Sequence, residues 1–198
     1  MVISGAGNID HDYLVELVGQ AFERLVTHSS TADLTALYRG GEMRQTKDLE
    51  QAHIVLGFDG FSYTDTDVYT LQMLSLLLGG GMSSRLFQEI RERRGLAYTV
   101  YTFNSSYTDG GIFGVYCATG PDKLMELMPV IADQLLEVSQ NVTAQEMDRA
   151  RAQVKAGLLM SLESSSSQCD RLGRHMLIFG RPLSIEEVLQ KINAVKNK

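Results

Sequence analysis

The sequence is poor in the residues that build disulfide frameworks, nucleic-acid surfaces and membrane spans. Its 198 residues include only Cys117 and Cys169, which are too few and too far apart for a disulfide framework, so we expect reduced thiols. The formal net charge is -6, and the one dense basic cluster, residues 91–94, is interleaved with Glu89 and Glu92. This balance argues against a nucleic-acid ligand. No apolar run is long enough to cross a bilayer, so we expect no membrane span.

What is present is the composition of an ordinary globular protein. Hydrophobic residues make up 44% and charged residues 21% of the chain. Val2 and Ile3 predict a short strand, and Asp10 is placed to cap a helix from His11 to about Leu25. The stretch from residue 27 to residue 50 has no sustained period and is typical of an exposed connection, with one short strand near residues 37–38.

The second part of the chain alternates helices and strands. Residues 52–58 have the alternation of a strand, and residues 65–78 have the spacing of a helix. Residues 97–107 and 111–118 predict two strands, and the Asp109-Gly110 dipeptide between them indicates a hairpin. Helix starts follow at Pro121, at Thr143 and at Ser184, and another helix is expected over residues 165–179. The pattern predicts an α+β fold in which helices pack on an antiparallel sheet.

The most distinctive stretch is a glycine turn that leads through a short helix into a strand. Gly79-Gly80-Gly81 opens the turn, and Leu86, Phe87 and Ile90 give the following helix one apolar face. Gly95 stops that helix before the strand. A phosphate-binding loop would require Gly-Lys-Ser/Thr at its end, which this turn lacks.

The same stretch resembles a known family of zinc peptidases. Gly-Gly-Gly-Met-Ser-Ser-Arg-Leu-Phe-Gln-Glu-Ile-Arg-Glu-x-Arg-Gly-Leu-Ala-Tyr, at residues 79–98, is similar to the C-terminal half of the pitrilysin/insulinase group, in the branch of mitochondrial processing peptidase. Residues 106–114 and 150–160 resemble the same half. The resemblance implies a metalloprotease-like α+β half-domain, which with a second similar half encloses a substrate chamber.

The resemblance also implies a division of the chain. Residues 1–26 are interpreted as the end of the preceding domain or as the first strand and helix of this one, residues 27–50 as the linker, and residues 51–198 as the C-terminal domain, truncated at its end. Enzymes of this family hold zinc through an inverted H-x-x-E-H pattern. No two of the histidines here are close enough to form it, so we expect no metal or other cofactor in this chain and zinc in the missing N-terminal half. The four histidines are His11, His28, His53 and His175.

The family's second half contributes an arginine and a tyrosine that point toward the zinc. Carried over by position, they fall on Arg91 and Tyr98, which the resemblance assigns to catalysis. A guanidinium can hold peptide carbonyls, and a tyrosine hydroxyl can donate to an oxygen that gains charge. The resemblance also places the loop Gly79, Gly80, Gly81, Met82 and Ser83 near bound peptide, as substrate-binding residues. Arg85 is expected to be a helix-start arginine that faces water.

These expectations combine into one function and one alternative. The chain is interpreted as the zinc-free C-terminal domain of a processing-peptidase-like zinc metalloendopeptidase, inactive alone. The alternative is a noncatalytic structural or partner subunit of the same fold, such as the core subunits of respiratory complexes. Expected partners are a peptide or unfolded polypeptide and a zinc-binding half, in the same chain or a partner subunit, and a homodimer stays open. The N-terminus lacks a transit segment, which favours a bacterial cytoplasm over a mitochondrial matrix.

Overall fold

A computed structural model of the chain describes residues 1–25 and 35–196. The described residues form helices and three strands, joined by irregular segments. In chain order these are α1 (His11–Phe22), β1 (Ala52–Gly60), α2 (Val68–Gly79), a π-helix (Phe87–Arg93), β2 (Ala97–Ser106), β3 (Gly111–Thr119), a 3-10 turn (Pro121–Lys123), α3 (Leu124–Gln140), α4 (Ala144–Ser161), α5 (Ser165–Phe179) and α6 (Ile185–Ala194). Over these residues, no helix is both long and apolar enough to span a membrane.

Three predicted helix starts are confirmed by the hydrogen bonds of their caps. Asp10 Oδ1 accepts from the Tyr13 amide at 2.8 Å, and the Ser184 hydroxyl accepts from the Glu187 amide at 3.1 Å. At α4, the Thr143 hydroxyl accepts from the Glu146 amide at 3.2 Å, and the Glu146 carboxylate accepts from the Thr143 amide at 2.9 Å. This reciprocal pair is a capping box, which satisfies two donors that a helix start would leave without partners.

The three strands form one antiparallel sheet in the order β1-β3-β2. Ile54 of β1, Cys117 of β3 and Val100 of β2 share one row across it, on the face that packs against α2 and α3. The core also includes buried residues of α2, of the π-helix region, of β3 and of α3, namely Leu71, Leu77, Leu78, Leu86, Ile90, Leu96, Val115, Leu127 and Ile131. Cys117 and Cys169 are both free thiols, and burial raises the pKa of Cys117 to about 11.

The chain divides into two compact units. One contains residues 1–36 and 158–183, and there the Ser4 hydroxyl donates to the Cys169 carbonyl at 2.8 Å. The other contains residues 37–157 and 184–198, with the sheet, the π-helix and most of α4. The boundaries expected from the sequence, at residues 26 and 50, stay a prediction.

The two short strands predicted near residues 2–3 and 37–38 do not form. Val2 and Ile3 form no strand, since a strand exists only as part of a hydrogen-bonded ladder and residues 1–10 are irregular. Residues 35–50 likewise contain no strand; instead the Tyr38 hydroxyl donates to the Gly57 carbonyl at 2.6 Å. The remainder of the predicted connection, residues 27–34, lies outside the described residues.

Candidate substrate-binding site

The helix after the glycine turn is a π-helix, where the sequence had predicted an ordinary one. Leu86 and Ile90 are fully buried and fix one side of it to the core. At its end the Leu96 amide donates to the Ile90 carbonyl at 2.8 Å, and Gly95 adopts a positive φ of 60°. A residue with a Cβ would be strained there, so glycine makes the turn into β2 possible. Short π segments interrupt normal helical spacing and are frequent at functional sites.

Strand β2 begins with a bulge that removes Tyr98 from the ladder. Ala97 pairs with Thr119 and Thr99 pairs with Ala118, so Tyr98 is one extra residue without a partner across the strands. The Thr119 hydroxyl, itself buried, donates to the Leu96 carbonyl at 2.5 Å and holds the strand's entry in place. A bulge redirects the side chains beside it. Tyr98 is consequently 73% exposed, although its neighbour Ala97 is buried.

The π-helix and the bulge bring Arg91 and Tyr98 into contact. The guanidinium carbon of Arg91 lies 4.3 Å from the centre of the Tyr98 ring and 4.8 Å from that of Phe87. Arg91 Nη1 also donates to the Tyr98 carbonyl at 3.3 Å, and its Nε lies 3.8 Å from the Glu92 carboxylate. Two cation–π contacts hold the guanidinium between the rings. Within the described part of the chain, the Tyr98 hydroxyl has no hydrogen-bond partner, so this donor is available to a ligand.

The first two positions of the glycine loop, residues 79–83, leave no room for a larger side chain. A Cβ on Gly79 would lie 2.5 Å from the backbone nitrogen of Thr102, and one on Gly80 would lie 2.5 Å from the Cα of Leu76. Gly81 has a φ of 150°. The glycines therefore allow close packing and an unusual backbone. Met82 at the tip is 75% exposed.

Every carbonyl from Gly80 to Ser83 accepts a side-chain hydrogen bond. Gln153 Nε2 donates to Gly80 at 3.0 Å, the Ser84 hydroxyl to Gly81 at 2.6 Å, Gln88 Nε2 to Met82 at 2.6 Å and Arg149 Nη2 to Ser83 at 3.1 Å. Gln88 belongs to the π-helix that carries Arg91, which connects the loop directly to the Arg91 and Tyr98 pair.

Arg85 does not face water, and that expectation was wrong. Its side chain is 12% exposed and forms a two-pronged ion pair with Glu146, with Nε–Oε1 and Nη2–Oε2 distances of 2.7 and 2.9 Å. Nη2 also donates to the Asn141 carbonyl. The hydrogen bond from Arg85, aided by Thr143, lowers the pKa of Glu146 to about 2. Arg85 is a buried anchor between the start of the π-helix region and α4, because its fork of donors fits one carboxylate.

No metal centre is found over the part of the chain that the structure describes, where no three His, Cys, Asp or Glu residues come together. His11 and His53 are exposed, and His53 Nδ1 lies 2.8 Å from the Tyr116 hydroxyl. His175 is half-buried, and its Nδ1 accepts from the Leu183 amide at 3.1 Å. His28 lies outside the described residues.

The predicted catalytic and substrate-binding residues lie along one segment, from the glycine loop to the start of β2. The roles of Arg91, Tyr98 and the loop stay predictions. Sequence reasoning missed Arg149 and Gln153, the two α4 residues that contact the loop. Arg149 and Gln153 lie four residues apart, and Arg149 lies three residues after Glu146 of the capping box. This spacing was a signal that Glu146, Arg149 and Gln153 share one face of a helix.

The three-stranded antiparallel sheet and the helices packed on it form a fold that solved peptidase structures share. The fold resembles a protease from Helicobacter pylori with a TM-score of 0.82 and 22% identity, covering 96% of this chain and 48% of that one. It also resembles a chain of complex III from Candida albicans, with a TM-score of 0.83, 22% identity and the same coverage. At such identities the likeness shows the fold alone.

A protein-family model described as the peptidase M16 inactive domain matches residues 1–154, and the chain belongs to this family. It is 38% identical over 197 residues to an uncharacterised zinc protease of Rickettsia felis, covering 99% of this chain and 48% of that protein. An uncharacterised zinc protease of Bacillus subtilis is 35% identical over 196 residues, with 98% and 48% covered. The chain thus spans about half the length of the curated relatives that it matches.

Proposed function

We propose that the chain is the substrate-holding, zinc-free half of a zinc metalloendopeptidase similar to processing peptidases. The observation that supports this most strongly is the contact between Arg91 and Tyr98, in which a guanidinium lies against an exposed tyrosine ring. Neither side chain is needed to fill the core. Their arrangement offers two donors, one charged and one neutral, at the junction of a π-helix and a bulge.

In this proposal the two side chains divide the work on a bound peptide. The Arg91 guanidinium, held between Phe87 and Tyr98, binds a carbonyl oxygen of the substrate and fixes its position. The Tyr98 hydroxyl donates to the oxygen that gains charge as the peptide carbonyl becomes tetrahedral. Zinc held by the other half of the protein would supply the activated water, and the glycine loop would line the path of the peptide.

The role of Tyr98 can be tested in the full-length protein with fluorescein-labelled casein as an unfolded substrate. We expect wild-type cleavage to stop with a zinc chelator, and the Tyr98→Phe substitution to lower kcat by about 10²–10³ because one oxyanion donor is lost. Tyr107→Phe is the matched control, since Tyr107 is also 57% exposed, at the hairpin beyond β2. Equal kcat for Tyr98→Phe and Tyr107→Phe would refute the proposal.

The source of the zinc half is tested by the mass of the native polypeptide, measured with an antibody against this chain. A product about twice as large would place both halves in one polypeptide, in line with the 48% coverage of relatives. A product of 198 residues would direct the search to a partner that co-purifies. A partner without zinc and a complex without cleavage would support the noncatalytic subunit instead, a role that the fold likeness to a complex III chain also allows.

A further inference from the structure

Helix α4 meets the segment from Gly80 to Arg85 through three side chains on one face. Glu146, Arg149 and Gln153 are separated by three and four residues, so they follow one another along the same side of the helix. Each contacts the segment in reverse order: Glu146 binds Arg85, Arg149 binds the Ser83 carbonyl and Gln153 binds the Gly80 carbonyl. The two backbones run antiparallel, and the three contacts fix their register.

The three contacts differ in their burial and in the groups that they join. The Glu146 and Arg85 pair is mostly buried and joins two side chains, whereas Arg149 and Gln153 are exposed and bind only the backbone of the loop. The packing of α4 depends on Ala150 and Val154, which are 3% and 8% exposed. Removing the donor from Arg149 or Gln153 therefore leaves both the core and the buried ion pair in place.

A loop with three consecutive glycines has much conformational freedom to lose. Carbonyls on an exposed loop normally bond to water, yet here all four from Gly80 to Ser83 have side-chain donors, two of them from α4. Such contacts fix one backbone conformation before a ligand arrives. A ligand that uses this conformation then binds without having to order the loop.

We propose that Arg149 and Gln153 are positioning residues that hold the glycine loop in its peptide-binding conformation. The inference rests on the proposed function in one respect, since the ligand of the loop is taken to be the polypeptide substrate. Neither residue touches the substrate. Their effect reaches it through the carbonyls of Ser83 and Gly80, and hence through the position of Met82 at the exposed tip.

The test uses the full-length protein and measures the affinity for fluorescein-labelled casein by fluorescence anisotropy, with the zinc removed so that no cleavage occurs. Gln153→Glu keeps the size of the side chain but replaces its donor with a carboxylate. We expect Gln153→Glu and Arg149→Ala each to weaken casein binding by about 3- to 10-fold, the range of one lost hydrogen bond. Arg149→Lys, which keeps a charged donor, should recover part of the affinity.

Gln145→Glu is the matched control, because it makes the same change on an exposed residue of the same helix. Its affinity for casein should equal that of the wild type. With zinc restored, Gln153→Glu should raise KM while kcat stays within about twofold, which is the pattern of lost binding shared by substrate and transition state. A loss of kcat at constant KM would overturn the positioning role.

A second readout separates this inference from the proposed catalytic role. Backbone amide hydrogen exchange over residues 80–83 should be faster in Gln153→Glu and Arg149→Ala than in Gln145→Glu. If exchange accelerates and casein binding is unchanged, the loop does not bind the substrate and the inference is overturned. If Tyr98→Phe keeps full kcat while Gln153→Glu weakens casein binding, the catalytic proposal fails and the positioning role stands.

Discussion

Arg85 and Arg91 lie six residues apart but differ in their exposure and in their partners. The Arg85 side chain is 12% exposed and is bound through Nε and Nη2 by Glu146, whereas the Arg91 side chain is 35% exposed and contacts two aromatic rings. The first is surrounded by partners that satisfy most of its donors. The second has longer and weaker contacts: Nη1 donates to the Tyr98 carbonyl at 3.3 Å, Nε lies 3.8 Å from the Glu92 carboxylate, and the cation–π contacts use the face of the group.

The surroundings of each charged side chain, and not its position on a helix, decide whether it is buried in an ion pair, as Arg85 is, or lies at the surface, as Arg91 does. Both side chains flank the core residues Leu86 and Ile90. Arg85 points to the start of α4, where a capping box already orients the Glu146 carboxylate. Arg91 points to the bulge of β2, where the extra residue Tyr98 supplies a ring instead of a carboxylate.

The difference between the two arginines can be tested by replacing each with alanine and measuring the free energy of unfolding. Arg85→Ala should lower the free energy of unfolding by roughly 3–5 kcal/mol, because Glu146 would remain mostly buried without its charge partner. Urea unfolding followed by circular dichroism measures this. The double variant Arg85→Met with Glu146→Leu should be less destabilised than Arg85→Ala, since no buried charge is left. A change below about 1 kcal/mol for Arg85→Ala would contradict the anchoring role.

Acid should weaken the ion pair between Arg85 and Glu146. The folded-state pKa of Glu146 is lowered to about 2 from an ordinary 4.5, so its contribution is complete above about pH 4.5 and is lost as pH falls toward 2. By pH 3 the pair should have lost about 2 kcal/mol. The measurement is the fall in unfolding free energy from pH 7 to pH 3, which should be smaller in Glu146→Gln than in wild type. Asp148→Asn, at a 76% exposed carboxylate, should not reduce the fall.

The smallest effect on stability is expected at Arg91. Arg91→Ala should change the unfolding free energy by less than about 1 kcal/mol, because exposed cation–π contacts and a 3.8 Å ion pair contribute little. The same urea experiment measures it, with Arg93→Ala, at a 68% exposed neighbour, as the control. A loss as large as that of Arg85→Ala would mean that Arg91 is a structural residue.

Much of the fold followed from local sequence signals. Asp10, Thr143 and Ser184 each predicted a helix start that the structure confirms, because a cap needs only residues within one turn. The Asp109-Gly110 hairpin was likewise confirmed as β2 and β3. The strand at Val2 and Ile3 was wrong, because strand formation depends on a partner that local pattern cannot supply.

The candidate site was only half predictable for the same reason. Arg91 and Tyr98 were found through the resemblance of their shared segment, and the structure brings them into contact. The partners that α4 supplies to Arg85 and to the glycine loop are separated from them by 61, 66 and 73 residues, and no local signal connects them. The sequence also did not predict the π-helix or the bulge, because each depends on how its segment packs against neighbouring elements.

The bulge at Tyr98 also affects how this chain could change over time. Because Tyr98 adds one residue that β3 does not match, deleting its codon would bring Ala97 and Thr99 into uninterrupted pairing with Thr119 and Ala118. Such a deletion would give a more regular ladder, and the chain retains the less regular strand.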